Sequence, residues 1–167
     1  MTAKKQQDAI ELLEADHKAV KKLFDEYKQM IEHKAAGTRR KALAEQICLE
    51  LTVHTRIEEE LFYPPVREAI KDDDMLDEAE VEHASAKELI AQILSAGPDE
   101  DRYDAKVTVL GEYIDHHVKE EREEMFPKVR KSGLDLLTLG EAMAIRKEEL
   151  KAVTEALREE ALSPATT

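Results

Sequence analysis

Apolar residues recur through most of this chain at alternating steps of three and four, the spacing of a single buried helix face. Between Gln6 and Glu32 the series is Ile10, Leu13, His17, Val20, Phe24, Tyr27 and Ile31. It predicts a first helix with a histidine in the middle of its apolar stripe. Gly37-Thr38 breaks the series, and Thr38 is the expected N-cap of the next helix. That second helix, about 39–70, turns Leu43, Ile47, Glu50 or Leu51, His54, Glu58 and Leu61 inward. Pro64-Pro65 must bend or interrupt it, because each proline removes a backbone donor. Asp72-Asp73-Asp74 reads as a turn and a cap. A third helix, about 75–96, presents Leu76, Ala79, His83, Ala86, Ile90 and Ile93, and Gly97-Pro98-Asp99 ends it. A fourth, about 100–131, presents Val107, Leu110, Ile114, His117, Glu121 and Met125, and Ser132-Gly133 closes it. A fifth, about 136–161, has Leu139, Met143, Ile145, Leu150, Val153 and Leu157 in phase and no histidine. The tail 163–167 is expected to fray.

The expectation is an all-α fold, an up-down-up-down four-helix bundle with an additional C-terminal helix. It forms a single domain over 1–167, with the core bundle at about 8–131 and the added helix at about 136–161. Composition agrees: 38% of residues are charged, there are five Gly, five Pro and no Trp, and good helix formers dominate. A net charge of −13 argues against nucleic acid or an anionic membrane as partner. No stretch nears a transmembrane span, and the first residues lack the apolar core of a signal peptide. Cys48 is the only cysteine, which excludes an internal disulfide, makes a plain buried thiol the expectation, and makes the cytoplasm the default location.

The chain also repeats itself, and the repeat contains the candidate chemistry. Ala15-Asp16-His17-Lys18-Ala19-Val20-Lys21 matches Val81-Glu82-His83-Ala84-Ser85-Ala86-Lys87 in pattern. The segment 54–66, HTRIEEELFYPPV, matches 117–129, HVKEEREEMFPKV, without a gap. His54 falls on His117, Glu58 on Glu121, Tyr63 on Phe126 and Pro64 on Pro127. Each half is therefore a helical hairpin with one His on its first helix and His-x3-Glu on its second. Residues i and i+4 share a helix face, so His17, His54, Glu58, His83, His117 and Glu121 should meet inside one bundle. Two adjacent buried carboxylates are costly unless cations neutralise them. Imidazole and carboxylate together suit iron, manganese or zinc. The natural assignment gives each of two metals two histidines, with Glu58 and Glu121 bridging and an oxo, hydroxo or water bridge between them. Glu50, Tyr113 and His116 stand one turn or one residue from these positions and are candidates to support the ligands from outside. The aromatic–proline steps at Phe62-Tyr63-Pro64 and Phe126-Pro127 read either as a kink and hydrophobic lid or as helix termination.

His17, His54-x3-Glu58, His83 and His117-x3-Glu121, with YP and FP following, resemble the hemerythrin-like family of HHE cation-binding domains over about residues 8–130. The resemblance implies a bundle holding a non-haem di-iron centre, with the four histidines as ligands and the two glutamates as bridges. Oxygen-carrying hemerythrins have a further histidine one turn after the third-helix ligand, where this chain has Lys87. They place a bridging aspartate five residues after the last histidine, where it has Arg122. The resemblance thus points to a less saturated site that reacts with dioxygen, peroxide or nitric oxide. Peroxide handling in oxidative stress, as a catalase- or peroxidase-like activity, is the favoured expectation. An iron or oxygen sensor or carrier without turnover is the alternative, motivated by the ligand-free fifth helix. Metal storage or a structural zinc site is a third reading.

Overall fold

The computed structural model describes residues 6–163. All regular structure among them is helical. Helix α1 spans Ala9–Glu32 and α2 spans Gly37–Ile57. A π-helical turn, Glu58–Phe62, leads without a break into α3, Tyr63–Ile70. Helix α4 spans Asp73–Ser95 and α5 Tyr103–Glu120; a second π turn, Glu121–Met125, leads into α6, Phe126–Lys131. The chain ends in α7, Leu136–Lys151, and α8, Thr154–Ala161. The frayed tail expected beyond Ser163 lies outside the described residues.

The helix starts are set by short polar side chains. Asp8 caps α1 in a reciprocal box: Glu11 N–H donates to Asp8 Oδ1 at 2.8 Å and Asp8 N–H to Glu11 Oε1 at 3.3 Å. Asp72 accepts from Met75 N–H to start α4, as the acidic turn suggested. Thr38 is not a cap. Helix α2 begins one residue earlier, and its N-cap, Ala36, makes no side-chain bond. The reason is packing: a Cβ on Gly37 would lie 3.1 Å from Pro98 Cγ, so the α1–α2 loop abuts the α4–α5 loop.

Helix α1 packs on α2 and α5, α2 on α4, and α4 on α5. The inward stripes close on one another as the periodicity requires, except that Ile31 at the end of α1 is exposed. The buried apolar residues form two clusters. One, with Leu13, Val53, Phe62 and Phe126, lies toward α3 and α6; the other, with Val20, Leu51, Ile90 and Leu110, lies toward the opposite loops. Along α1 the boundary falls between Leu13 and Val20, where His17 stands. Cys48 is fully buried in the second cluster, and burial pushes its thiol up to about 12, helped by Glu45. It is an inert apolar filler at neutral pH.

The fifth helix is not continuous. It breaks at Ala152–Val153 into α7 and α8, and Ile145 and Val153, expected inward, are exposed at 63% and 49%. Met143, Leu150 and Leu157 are buried, and α7 lies against α1 and α2. Gly140 makes this docking close. A Cβ there would sit 2.5 Å from the Gln7 carbonyl oxygen and 2.8 Å from Ala9 N, both backbone atoms. Gly140→Ala is therefore expected to cost about 1–3 kcal/mol through overpacking. In a chain of this size that lowers the thermal midpoint by about 2–4 °C per kcal/mol. Calorimetry of the variant against the parent checks it, with Gly133→Ala as a less suitable comparison because its φ of 81° adds backbone strain.

Candidate metal centre

The six side chains of the repeat meet between the two apolar clusters. His54, His83, His117, Glu58 and Glu121 are buried, and the His17 side chain is 9% exposed. Each hairpin brings its own histidines together: His17 Nε2 lies 3.2 Å from His54 Nε2, and His83 Nε2 lies 3.1 Å from His117 Nε2. Each glutamate then reaches across. Glu58 Oε1 is 3.0 Å from His54 Nε2 and 3.4 Å from His83 Nε2. Glu121 Oε1 is 3.1 Å from His117 Nε2 and 3.6 Å from His17 Nε2. The donor atoms fall into two sets that could each hold an ion, His17–His54–Glu121 and Glu58–His83–His117.

These distances fit cations better than hydrogen bonds. Ligands about 2.1 Å from a common ion sit roughly 3.0–3.4 Å from one another. His54 Nδ1 is 3.0 Å from Asp16 Oδ2 and His117 Nδ1 is 3.1 Å from Glu82 Oε1, so each ring donates its Nδ1–H outward. That tautomer leaves an Nε2 lone pair facing the centre. Glu58 Oε1 and Oε2 and Glu121 Oε1 are buried and make no hydrogen bond. Unpaired buried carboxylates cost several kcal/mol each, and a pair of divalent cations offsets that cost.

The electrostatics of the side chains alone are frustrated. Burial pulls the His17 imidazole down to about 3, with His54 beside it adding to the effect. Burial also opposes charge on His54, but Glu58 and Asp16 outweigh it and lift that ring to about 10. Burial and the neighbouring Glu58 push Glu121 up to about 7, while His54 helps hold Glu58 well below the usual range against its own burial. Touching groups are driven in opposite directions, the signature of a site built for a charge that protons supply poorly.

The π turns add a residue that a regular period does not anticipate. Tyr63 N–H donates to Glu58 O, and Phe126 N–H to Glu121 O, five residues back rather than four. The widened turn carries the fifth residue after each glutamate over the centre. The Tyr63 hydroxyl lies 3.2 Å from both His83 Nε2 and His117 Nε2 and donates to Glu121 Oε2 at 3.3 Å. Its counterpart in the other half, Phe126, stacks on His17 with the rings 4° from parallel. The aromatic–proline steps thus neither end the helix nor form only an apolar lid. One contributes a phenol to the donor set.

Three carboxylates that the heptad phase did not select stand behind the histidines. Asp16 and Glu82 occupy equivalent places in the repeat, one residue before His17 and His83, and each accepts from the ring on the second helix of its hairpin. Lys147 of α7 donates to Asp16, so the C-terminal helix reaches the site. Glu59 Oε2 lies 3.6 Å from His83 Nδ1, and Lys87 Nζ donates to Glu59 Oε1 at 2.7 Å. Of the three supporting candidates named from sequence, His116 touches Glu82 at 3.5 Å and so reaches His117 indirectly. Tyr113 is exposed and Glu50 lines a groove with Lys151, Thr154 and Leu157; neither joins the cluster.

A DNA nickase of Nostoc sp. is 28% identical over 120 residues, a match covering 72% of this chain but 33% of the nickase. The uncharacterized protein Rv2633c of Mycobacterium tuberculosis is 28% identical over 115 residues, covering 67% of this chain and 70% of that protein. The crystal structure of an HHE cation binding domain-containing protein from Mycobacterium kansasii, an Rv2633c homolog, superposes with a TM-score of 0.73 at 26% identity. That match covers 95% of this chain and 94% of the other. Residues 8–129 match the hemerythrin HHE cation binding domain, and the chain belongs to that family.

Proposed function

We propose that this chain is a single-domain, non-haem di-iron protein that binds and reacts with dioxygen, hydrogen peroxide or nitric oxide, with peroxide removal favoured. In this reading its four long helical arms run up-down-up-down. His17 and His54 hold one iron, His83 and His117 the other, and Glu58 and Glu121 bridge them. The same donors would accept manganese or zinc. The observation that carries the reading is the donor geometry, in which each carboxylate stands within reach of one imidazole from each pair.

Bound iron would supply Lewis acidity and electrons. The chain's own groups do the rest. Asp16 and Glu82 fix the tautomers of His54 and His117. Lys87 is held by Glu59 and offers no fifth imidazole, which favours reaction over saturated carriage. A cavity of about 10 Å³ touches all four histidines and is otherwise walled by Val20, Leu51, Ile114 and Val118, with Asp16 and Thr55 as its other polar residues. It has room for about one water-sized molecule, which suits a small ligand. The Tyr63 hydroxyl holds a proton at the edge of the donor set, with burial and Glu121 keeping it protonated. The net charge of −13 and the absence of any helix, among the described residues, long and apolar enough to cross a membrane accord with small-molecule partners. A cytoplasmic setting belongs to the same proposal.

The test is oxygen evolution from hydrogen peroxide by iron-loaded protein, with visible spectra recorded on adding peroxide, dioxygen and nitric oxide. Tyr63→Phe should slow turnover by about 100-fold, the low end for loss of a placed proton donor. Protein with two irons that neither evolves oxygen nor changes its spectrum with any of the three would end this reading. A spectral change without turnover would favour a sensor or carrier.

A further inference from the structure

One group of metal-type ligands lies outside the centre. His116 Nε2 is 3.5 Å from Glu82 Oε2 and 3.2 Å from Glu120 Oε1, on the outer faces of α4 and α5. The His116 side chain is 66% exposed, so solvent reaches this cluster directly. Glu82 belongs to both layers. Its Oε2 faces His116, while its Oε1 accepts from Nδ1 of the buried His117.

The same face opens into a cavity of about 200 Å³ between α4 and α5. Asp74, Glu78, Glu82 and Glu120 line its walls, and the buried His117 and Glu121 line its inner end. Glu121 is 1% exposed, and its Oε1 makes no hydrogen bond. A buried carboxylate oxygen without a donor, at the end of an acid-walled opening, is what an incoming cation would meet. Lys128, on Asp72, is the cation tied to this rim, and it lies at the α6 end. Clefts lined by one sign of charge raise the local concentration and on-rate of the opposite ion by about 10- to 1,000-fold.

We propose that this acidic trough is the entry route for divalent cations to the buried centre, with Glu82, His116 and Glu120 as its outer docking site. The proposal rests on the di-metal reading above. A cation, still partly hydrated, exchanges water first for His116 and Glu120. Glu82 hands it inward past His117, and Glu121 takes it up. No electron transfer or bond cleavage is involved, only ligand exchange.

The experiment uses metal-depleted full-length protein mixed with Co(II), whose visible bands report imidazole and carboxylate binding. Uptake rate is followed by stopped flow, and final stoichiometry by equilibrium dialysis. The variant Glu78→Gln/Glu120→Gln spares Glu82, His116 and every residue of the centre. It should still reach two tightly bound cations with the parental spectrum, but load roughly tenfold more slowly. It should also lose a weak additional cation present in the parent. Glu155→Gln/Glu159→Gln on α8, where both are exposed, removes similar charge elsewhere and should load at the parental rate. Equal rates for the trough variant and the parent would overturn the entry route, as would equal slowing in the α8 control. Failure of the parent itself to take up two cations would instead overturn the di-metal reading.

Discussion

Replacing Glu121 by alanine is expected to empty the centre. Glu121 Oε1 stands within 3.6 Å of an imidazole from each histidine pair, so its loss takes the carboxylate from the His17–His54 set and, as the proposed bridge, a ligand from the second metal as well. It leaves Glu58 without its partner bridge. Outer-sphere partners of metal ligands typically contribute 10- to 100-fold in affinity, and a shared inner ligand should exceed about 100-fold on that scale. Metal content per chain after dialysis against a competing chelator reads the effect. His54→Ala should behave similarly, since it removes an Nε2 donor and leaves Asp16 Oδ2 without its partner. Asp16→Ala and Glu82→Ala should fall within the 10- to 100-fold range. His33→Ala is the control, because His33 is the exposed C-cap of α1 and touches nothing in the site. Undiminished metal in Glu121→Ala would show that the ion is held elsewhere.

Chelation should destabilise the whole fold rather than one loop. The six candidate ligands sit between the two apolar clusters, on α1, α2, α4, α5 and the two π turns, so bound cations would cross-link every arm of the bundle. A cation present at 1,000 times its dissociation constant contributes about 4 kcal/mol. At about 2–4 °C per kcal/mol for a chain of this size, each cation raises the thermal midpoint by roughly 8–16 °C. Removing both also leaves both Glu58 oxygens and Glu121 Oε1 buried without a hydrogen bond. The expected result is a single cooperative transition displaced downward by the sum for the two cations, roughly 16–32 °C, and restored by adding metal back. A midpoint indifferent to chelation would mean that the bundle stands without the ions.

The four arms and their six converging side chains were legible because they rest on one period. His17, His54, His83 and His117 each fall on an apolar stripe, and i,i+4 spacing carries Glu58 and Glu121 onto the same faces. The duplicated frame made the convergence more than coincidence. It also contained Asp16 and Glu82, each directly before a histidine, but a residue one position off the stripe reads as a rim residue until the neighbouring helix is in place. Tyr63 was hidden for a different reason. A π turn inserts a residue without any side-chain signature, so counting by 3.6 puts Phe62 rather than Tyr63 over Glu58. The trace that was present is proline. Pro64 and Pro127 directly follow Tyr63 and Phe126, whose N–H groups bond five residues back; each proline lacks an N–H and crowds the carbonyl four residues before it, which accords with a widened turn there. Lys147 was out of reach, because its contact with Asp16 depends on how α7 docks. Val153 falls at the break between α7 and α8, and Ile145, two residues after the buried Met143, lies off the buried face of α7.

Anomalous diffraction at the iron edge, on crystals of protein purified without added metal or chelator, tests the central claim most directly. Two peaks are expected within one chain. One should lie among His17, His54 and Glu121, the other among His83, His117 and Glu58, with Tyr63 beside the second. A single peak, or peaks only at surface carboxylates, would contradict a bridged pair of cations in the bundle.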